Sequence, residues 1–152
     1  MTPQPPVPGY EISHDPARLD VDVIHTFLGR DSYWSKGISR DVVEKSIARS
    51  LCFGVYRGGA QTGFARVVTD RSTFAPLAGV FVLEGHRGKG ISKWPMQTVI
   101  AHPDLQGLRR LLLLTSGAHE LYRRFGFTEI GNAWRFMEVR RADTYRDEVE
   151  VG

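Results

Sequence analysis

The run Arg87-Gly88-Lys89-Gly90-Ile91-Ser92 is the part of this chain best equipped for chemistry. It follows an apolar stretch, Val80-Phe81-Val82-Leu83, and precedes a segment of helical spacing. Where a strand ends in glycines ahead of a helix, unpaired backbone N–H groups point into the turn and the helix dipole adds partial positive charge. Together they hold a phosphate group. Gly88 and Gly90 let the backbone approach an anion with no Cβ in the way. Arg87, Lys89 and Lys93 add full positive charges.

Two phosphate-binding patterns fail at this loop. The nucleotidase pattern Gly-x-x-x-x-Gly-Lys-Ser/Thr does not occur. The dinucleotide pattern needs a third glycine where Lys93 stands. No cluster of His, Cys, Asp and Glu shows ligand spacing, so no metal is expected.

The elements that must position the loop are read from apolar periodicity. Tyr10 to His14 alternates weakly, as a short strand does. Val21, Ile24, Phe27 and Leu28 recur at helical spacing behind Asp20, a good N-cap. Ser39 precedes a second helical set, Val42, Val43 and Ile47. From Leu51 the period becomes two, Gly58-Gly59 supplies a turn, and a strand returns over residues 63–69, which is a hairpin signal. Residues 77–83 form a third strand of this block, then come the loop and a helix over about residues 91–101. The run Leu111-Leu112-Leu113-Leu114 suits a central strand buried on both faces. Ala118, Leu121, Tyr122 and Phe125 give one more helical face, with Gly126 as its stop. Residues 127–130 and 134–139 read as two last strands. The order β-α-α-β-β-β-α-β-α-β-β implies an α/β fold with one mixed sheet and helices on both faces.

The loop resembles the pattern Arg-x-x-Gly-x-Gly/Ala of the GNAT N-acetyltransferases. Arg87 and Gly90 match it, and Ser92 stands where glycine or alanine is usual. Leu121-Tyr122-Arg123-Arg124-Phe125-Gly126-Phe127 is similar to the family's second common stretch, Leu-Tyr, three residues, Gly-Phe. The order of elements looks like the whole GNAT fold, and the resemblance covers residues 10–139.

That resemblance implies an N-acetyltransferase that moves an acetyl group from acetyl-CoA to a primary amine, on a small molecule or a peptide. The amine would attack directly in a ternary complex. The strand before the loop would be splayed from its neighbour, and the pantetheine arm would bond the backbone at Phe81, Val82 and Leu83. Arg87 and the amides of Gly88, Lys89, Gly90, Ile91 and Ser92 would take the pyrophosphate. Tyr122 matches the tyrosine whose hydroxyl lies near the sulfur, and is expected as the acid. A phenol of pKa about 10 against a thiol of about 8.5 favours a strong hydrogen bond over full proton transfer. An amide near Val82 would meet the oxyanion. The base does not transfer between family members; Glu84, His86 and His119 are candidates, and Gly79 offers no carboxylate. Tyr33 and Trp34, in the link between the first two helices, are expected at the acceptor pocket, where aromatic rings can hold a cation. Arg135 or Phe136 would border it. Ser92, Pro95 and the unassigned base support an alternative, a non-catalytic acyl-CoA-binding module of the same fold.

Bulk properties agree with these expectations. The 152 residues suit one domain, with 41% hydrophobic and 24% charged residues. A net charge of +3 suits an anionic ligand. Without a dense basic stripe it does not suit nucleic acid. The single cysteine, Cys52, forms no internal disulfide and sits in an apolar run as a buried hydrophobe. No signal-peptide pattern and no run of about 20 apolar residues is present, so a cytoplasmic protein without membrane contact is expected. The reading admits a homodimer. Residues 1–9, with four prolines, are expected as a flexible leader, 10–141 as the single domain and 142–152 as a loose tail.

Overall fold

The computed structural model of the chain describes residues 3–145. Strands and α-helices follow in the order β1 Tyr10–Ser13, α1 Val21–Thr26, α2 Arg40–Ala48, β2 Leu51–Arg57, β3 Ala60–Val67, β4 Phe74–Val82, α3 Trp94–Ala101, β5 Arg110–Leu113 and α4 His119–Arg123. The strands form one sheet in the spatial order β1-β2-β3-β4-β5. It is antiparallel from β1 to β4, and β5 runs parallel to β4.

Alternation along the strands fills two cores. Cys52, Phe64 and Phe81 face α1 and α2, where they meet Ile24, Phe27, Leu28 and Val43. Leu51, Phe53, Ala65 and Val67 face the other way, toward Val99 of α3 and Leu105. Val55 and Val82 join that second face around Trp94, Ile91 and Tyr10. Successive strand residues point to opposite faces, so a strand covered on both sides reads as a continuous apolar run. Burying each large side chain contributes about 1.5–3 kcal/mol. The β2–β3 hairpin turns on Gly58 and Gly59, both at positive φ, as a tight two-residue connection requires.

The helix starts follow the local sequence. The Asp20 carboxylate accepts from the Val23 amide at 3.3 Å, and the Ser39 hydroxyl from the Val42 amide at 3.2 Å. Each satisfies a donor that the first helical turn leaves free. Past Thr26, α1 widens into a π-helical turn, Phe27–Asp31. Such turns are frequent at functional sites.

Three expectations are corrected. Helix α3 begins at Trp94 rather than near residue 91, which puts Pro95 in its first turn. There the missing proline N–H would have had no helical partner anyway. Residues 127–130 and 134–139 do not form the two final strands. The first segment is irregular, Ala133–Arg135 is a 3-10 turn, and the residues after it find no ladder partner among the described residues. An extended segment becomes a strand only when a neighbour takes its N–H and C=O groups. In consequence β5 is an edge strand, half-buried rather than buried on both faces, and Leu114 beyond it is 96% exposed.

The described residues of the leader, 3–9, form no strand or helix, yet they are in contact with the domain. Trp94 Nε1 donates to the Pro3 carbonyl at 3.0 Å, and Val7 packs on the cluster around Tyr10 and Trp94. Residues 1–2 of the leader and 146–152 of the expected tail lie outside the described residues.

Candidate active site

A gap between β4 and β5 organises the site. The two strands pair only from Phe74 with Arg110 to Leu77 with Leu113. Beyond Leu77, β4 continues to Val82 with no partner on that side among the described residues. The divergence coincides with a bulge: Val67 pairs with Leu77 and Arg66 with Gly79, leaving Ala78 as the extra residue. A bulge bends its strand and re-aims the residues beyond it. Pro76 next to it has no N–H to give, and its carbonyl accepts from the Val68 amide at 2.9 Å.

The register of β4 decides which backbone groups face the gap. The Leu83 amide donates to the Thr62 carbonyl of the preceding hairpin at 2.8 Å. Alternate residues of a strand address opposite neighbours, so Val82 and Val80 turn their N–H and C=O groups the other way. Arg87 agrees with that direction, since its Nε donates to the Val82 carbonyl at 2.7 Å.

Past β4 the chain makes a short 3-10 turn, Glu84–His86, and enters the glycine loop. The Arg87 amide is taken by the Glu84 carbonyl and the Lys93 amide by the Gly90 carbonyl, each at 3.3 Å. Between them, the amides of Gly88, Lys89, Gly90, Ile91 and Ser92 donate to no group among the described residues. Gly88 and Gly90 sit at φ +82° and +77°, a region that side chains rarely enter. A Cβ on Gly90 would also come within 3.2 Å of Pro6. Ile91 is fully buried and anchors the loop on Val55, Val82 and Trp94. A row of free amides with basic side chains beside it fits an anionic diphosphate, and the open edge of β4 fits an amide-bearing arm.

Helix α4, which follows β5, carries Tyr122. Gly126, at φ +93°, ends α4 with its amide on the Arg123 carbonyl at 3.0 Å, and Phe127 donates to the Tyr122 carbonyl at 3.2 Å. This is a helix stop in which the residue after the glycine packs back onto the last turn. The rings of Phe127 and Tyr122 meet edge to face at 5.9 Å. The Leu-Tyr…Gly-Phe stretch is thus a local device that sets the Tyr122 ring. Burial first, then the neighbouring Tyr33, raises the Tyr122 phenol above its ordinary pKa, which keeps its proton in place.

Tyr33 and Trp34 are brought to the same gap. Buried Ser32 holds their loop, its hydroxyl donating to the Leu28 carbonyl at 2.6 Å and accepting from the Ser35 amide at 3.1 Å. Trp34 Nε1 lies 3.8 Å from where a Gly79 Cβ would stand, an ordinary contact distance that puts the indole against β4. The Tyr33 hydroxyl accepts from the Ser116 amide at 3.2 Å, linking the loop to the segment after β5. Hydrogen bonding to Ser116, through its side chain first and then this amide, lowers the Tyr33 pKa. Phe27 stacks on Phe81 at 4.0 Å and meets Trp34 at 6.1 Å.

Sequence reasoning missed a cavity of about 440 Å³ below these rings, lined by Phe27, Arg30, Asp31, Leu83, Glu84 and Arg87. Leu83, Glu84 and Arg87 carry a signal through the strand and loop they belong to; the π-helical turn that supplies Arg30 and Asp31 has none. The remaining candidates fall elsewhere. His86 Nδ1 is hydrogen-bonded to the Tyr10 hydroxyl at 2.7 Å. Phe136 lies under the Arg110 guanidinium at 4.9 Å, at the far end of β5. Burial pushes the Cys52 thiol up to about 11, so it does not supply a thiolate at neutral pH.

Comparison with known proteins agrees with this geometry. Residues 48–129 match the acetyltransferase (GNAT) domain family. A protein of Gibberella zeae with a provisional acetyltransferase assignment is 34% identical over 135 residues, covering 74% of this chain and 75% of that one. A crystal structure from Xanthomonas campestris pv. campestris, provisionally assigned as a GNAT-family acetyltransferase, is 48% identical with a TM-score of 0.88, covering 91% of this chain and 97% of that one. The fold is shared with a GNAT acetyltransferase of Elizabethkingia anophelis solved with acetyl-CoA bound, at 13% identity and a TM-score of 0.61 over 93% of this chain and 85% of that one. The chain belongs to the GNAT acetyltransferase family.

Proposed function

We propose that this chain is an N-acetyltransferase that passes the acetyl group of acetyl-CoA to a primary amine by direct attack in a ternary complex. The observation that carries the reading is the row of five amides, residues 88–92, that are unpaired among the described residues at the mouth of the gap beside β4. Acetyl-CoA brings an acyl thioester; the chain supplies position and proton traffic. Residues 88–92 and the basic side chains Lys89 and Lys93 hold the diphosphate, while Arg87 braces the end of β4 through the Val82 carbonyl. The gap-facing backbone of Val80 takes the arm, with the Val82 N–H available to a developing oxyanion. Tyr122 donates a hydrogen bond to the departing sulfur, a role its raised pKa favours over full proton release. Glu84, which lines the cavity at the end of β4, is the base that takes the first proton from the acceptor ammonium. The N–C bond forms as the C–S bond breaks, and the second proton ends on the thiolate. Tyr33 and Trp34 border the acceptor between the gap and the cavity.

Leu114 just past β5, an edge strand among the described residues, and Trp134, Met137 and Val139 later in the chain are exposed apolar side chains that a second copy would cover. Sedimentation of the full chain at micromolar concentration is expected to give twice the 17.1 kDa of one copy.

The test of function has two arms. Acetyl-CoA at 100 times its Kd should stabilise the fold by about 2.7 kcal/mol, a rise of a few degrees in melting temperature. Thiol release with a panel of amines then measures transfer. No stabilisation by acetyl-CoA overturns the reading; stabilisation without thiol release for any amine leaves a binding module.

A further inference from the structure

The cavity beneath Phe27 carries two charges of each sign. Arg30 and Arg87 contribute guanidinium groups, Asp31 and Glu84 carboxylates, and Phe27 and Leu83 the apolar surface. The ion pairs among the described residues include none of these four side chains. Arg87 is already engaged on the Val82 carbonyl, which leaves Arg30 as the cation that faces the cavity without a partner among the described residues. Opposite charges that line one small cavity yet stay apart match a ligand that bears both charges. A volume of about 440 Å³ lies within the range of small-molecule sites and is too small for a folded partner.

We infer that the acceptor is of the amino-acid class, a small molecule with a carboxylate close to the amine that is acetylated. Arg30 takes the carboxylate, in the planar two-pronged geometry that guanidinium groups favour. Asp31 and Glu84 receive the ammonium and turn it toward the end of β4, where the Val82 N–H faces the gap. The π-helical turn Phe27–Asp31 is the element that places Arg30 and Asp31 on the cavity together, one residue apart. This assignment rests on the transferase reading and adds the acceptor class to it.

Two measurements test it. In the first, free amino acids and the matching carboxylate-free amines are added to the protein alone, and melting temperature is read. Amino acids should stabilise the wild type, and R30M should abolish that shift while keeping the shift caused by acetyl-CoA. In the second, thiol release is followed with the same two acceptor series. R30M should raise KM at least tenfold for carboxylate-bearing acceptors and leave carboxylate-free amines unchanged, and R30K should recover part of the loss. Equal use of both series by the wild type, or equal loss on both in R30M, overturns the inference while the transferase reading stands. Absence of any acetyl-CoA shift removes the transferase reading instead, so the two failures are told apart.

Discussion

The two walls of the gap are built to different standards. On one side β4 is paired along β3 and packed on both faces, with Phe81 and Val82 buried and the loop pinned by Ile91 and Trp94. On the other, β5 is four residues long and half-buried, and α4 contributes no buried residue. What ties the second wall to the first is sparse: four residue pairs of parallel ladder, the Arg109 amide on the Thr73 carbonyl, Leu111 packed on the second core, and the Tyr33–Ser116 hydrogen bond. The contrast divides the labour. The groups assigned to holding the donor sit on the rigid wall. The proposed acid, Tyr122, sits on the pliant one, set locally by Phe127 and Gly126. Elements with few buried contacts are the ones that open at low free energy.

Substitutions on each wall should therefore fail in different ways. On the β4 side, Gly90→Val forces a side chain into a left-handed turn and against Pro6. A cost of roughly 1–2 kcal/mol for the backbone alone, before the clash, predicts at least tenfold weaker acetyl-CoA binding, read by calorimetry. On the β5 side, Tyr122→Phe should cut turnover by about 10²-fold, as loss of one well-placed donor does, with acetyl-CoA affinity kept. Unchanged turnover there would remove Tyr122 from the chemistry. Removing residues 1–8 deprives Trp94 of its Pro3 acceptor and the cluster of Val7, and should lower stability by about 1–3 kcal/mol in denaturant melts. If stability is untouched, the leader is no part of the rigid wall. Tyr33→Phe breaks the bond to the Ser116 amide and should cost about 1 kcal/mol or less. Its effect should appear as faster hydrogen exchange after β5 rather than in β2 or β3.

The smallest effect concerns pH. His102 is held below its ordinary pKa, by burial first, and its Nδ1 accepts from the Asp104 amide at 3.1 Å. A group whose folded pKa is depressed gives stability that is present above the unfolded value, near pH 6.5, and lost as pH falls through the folded one. Melting temperature should sag modestly below about pH 6.5, and H102N, which keeps an acceptor without the titration, should flatten the sag.

How much of this was readable beforehand depends on how local each device is. The loop was legible because glycines between a strand and a helix mark a turn at positive φ, as Gly88 and Gly90 make. The Tyr122 stretch was legible because Gly126 and Phe127 act within one turn of their own helix. The pairing of Tyr33 with Ser116, across 83 positions, was not. Nor was the seat of Trp34 on Gly79, or the leader's contact with Gly90. The four leucines of residues 111–114 signalled a strand correctly and its neighbours wrongly. Apolar character records how much a residue prefers burial, and says nothing of which partner arrives to bury it.

From sequence alone came most of the elements, the glycine turn, the tyrosine on its glycine-stopped helix and the family they belong to. All of these rest on bonds and contacts made within a few residues. Tertiary structure alone decided that β4 and β5 part at the Ala78 bulge, that Arg30, Asp31 and Glu84 share one cavity, and that β5 stands at an edge. Each is a meeting of distant segments, set by how whole faces pack, and such meetings leave no trace in local periodicity.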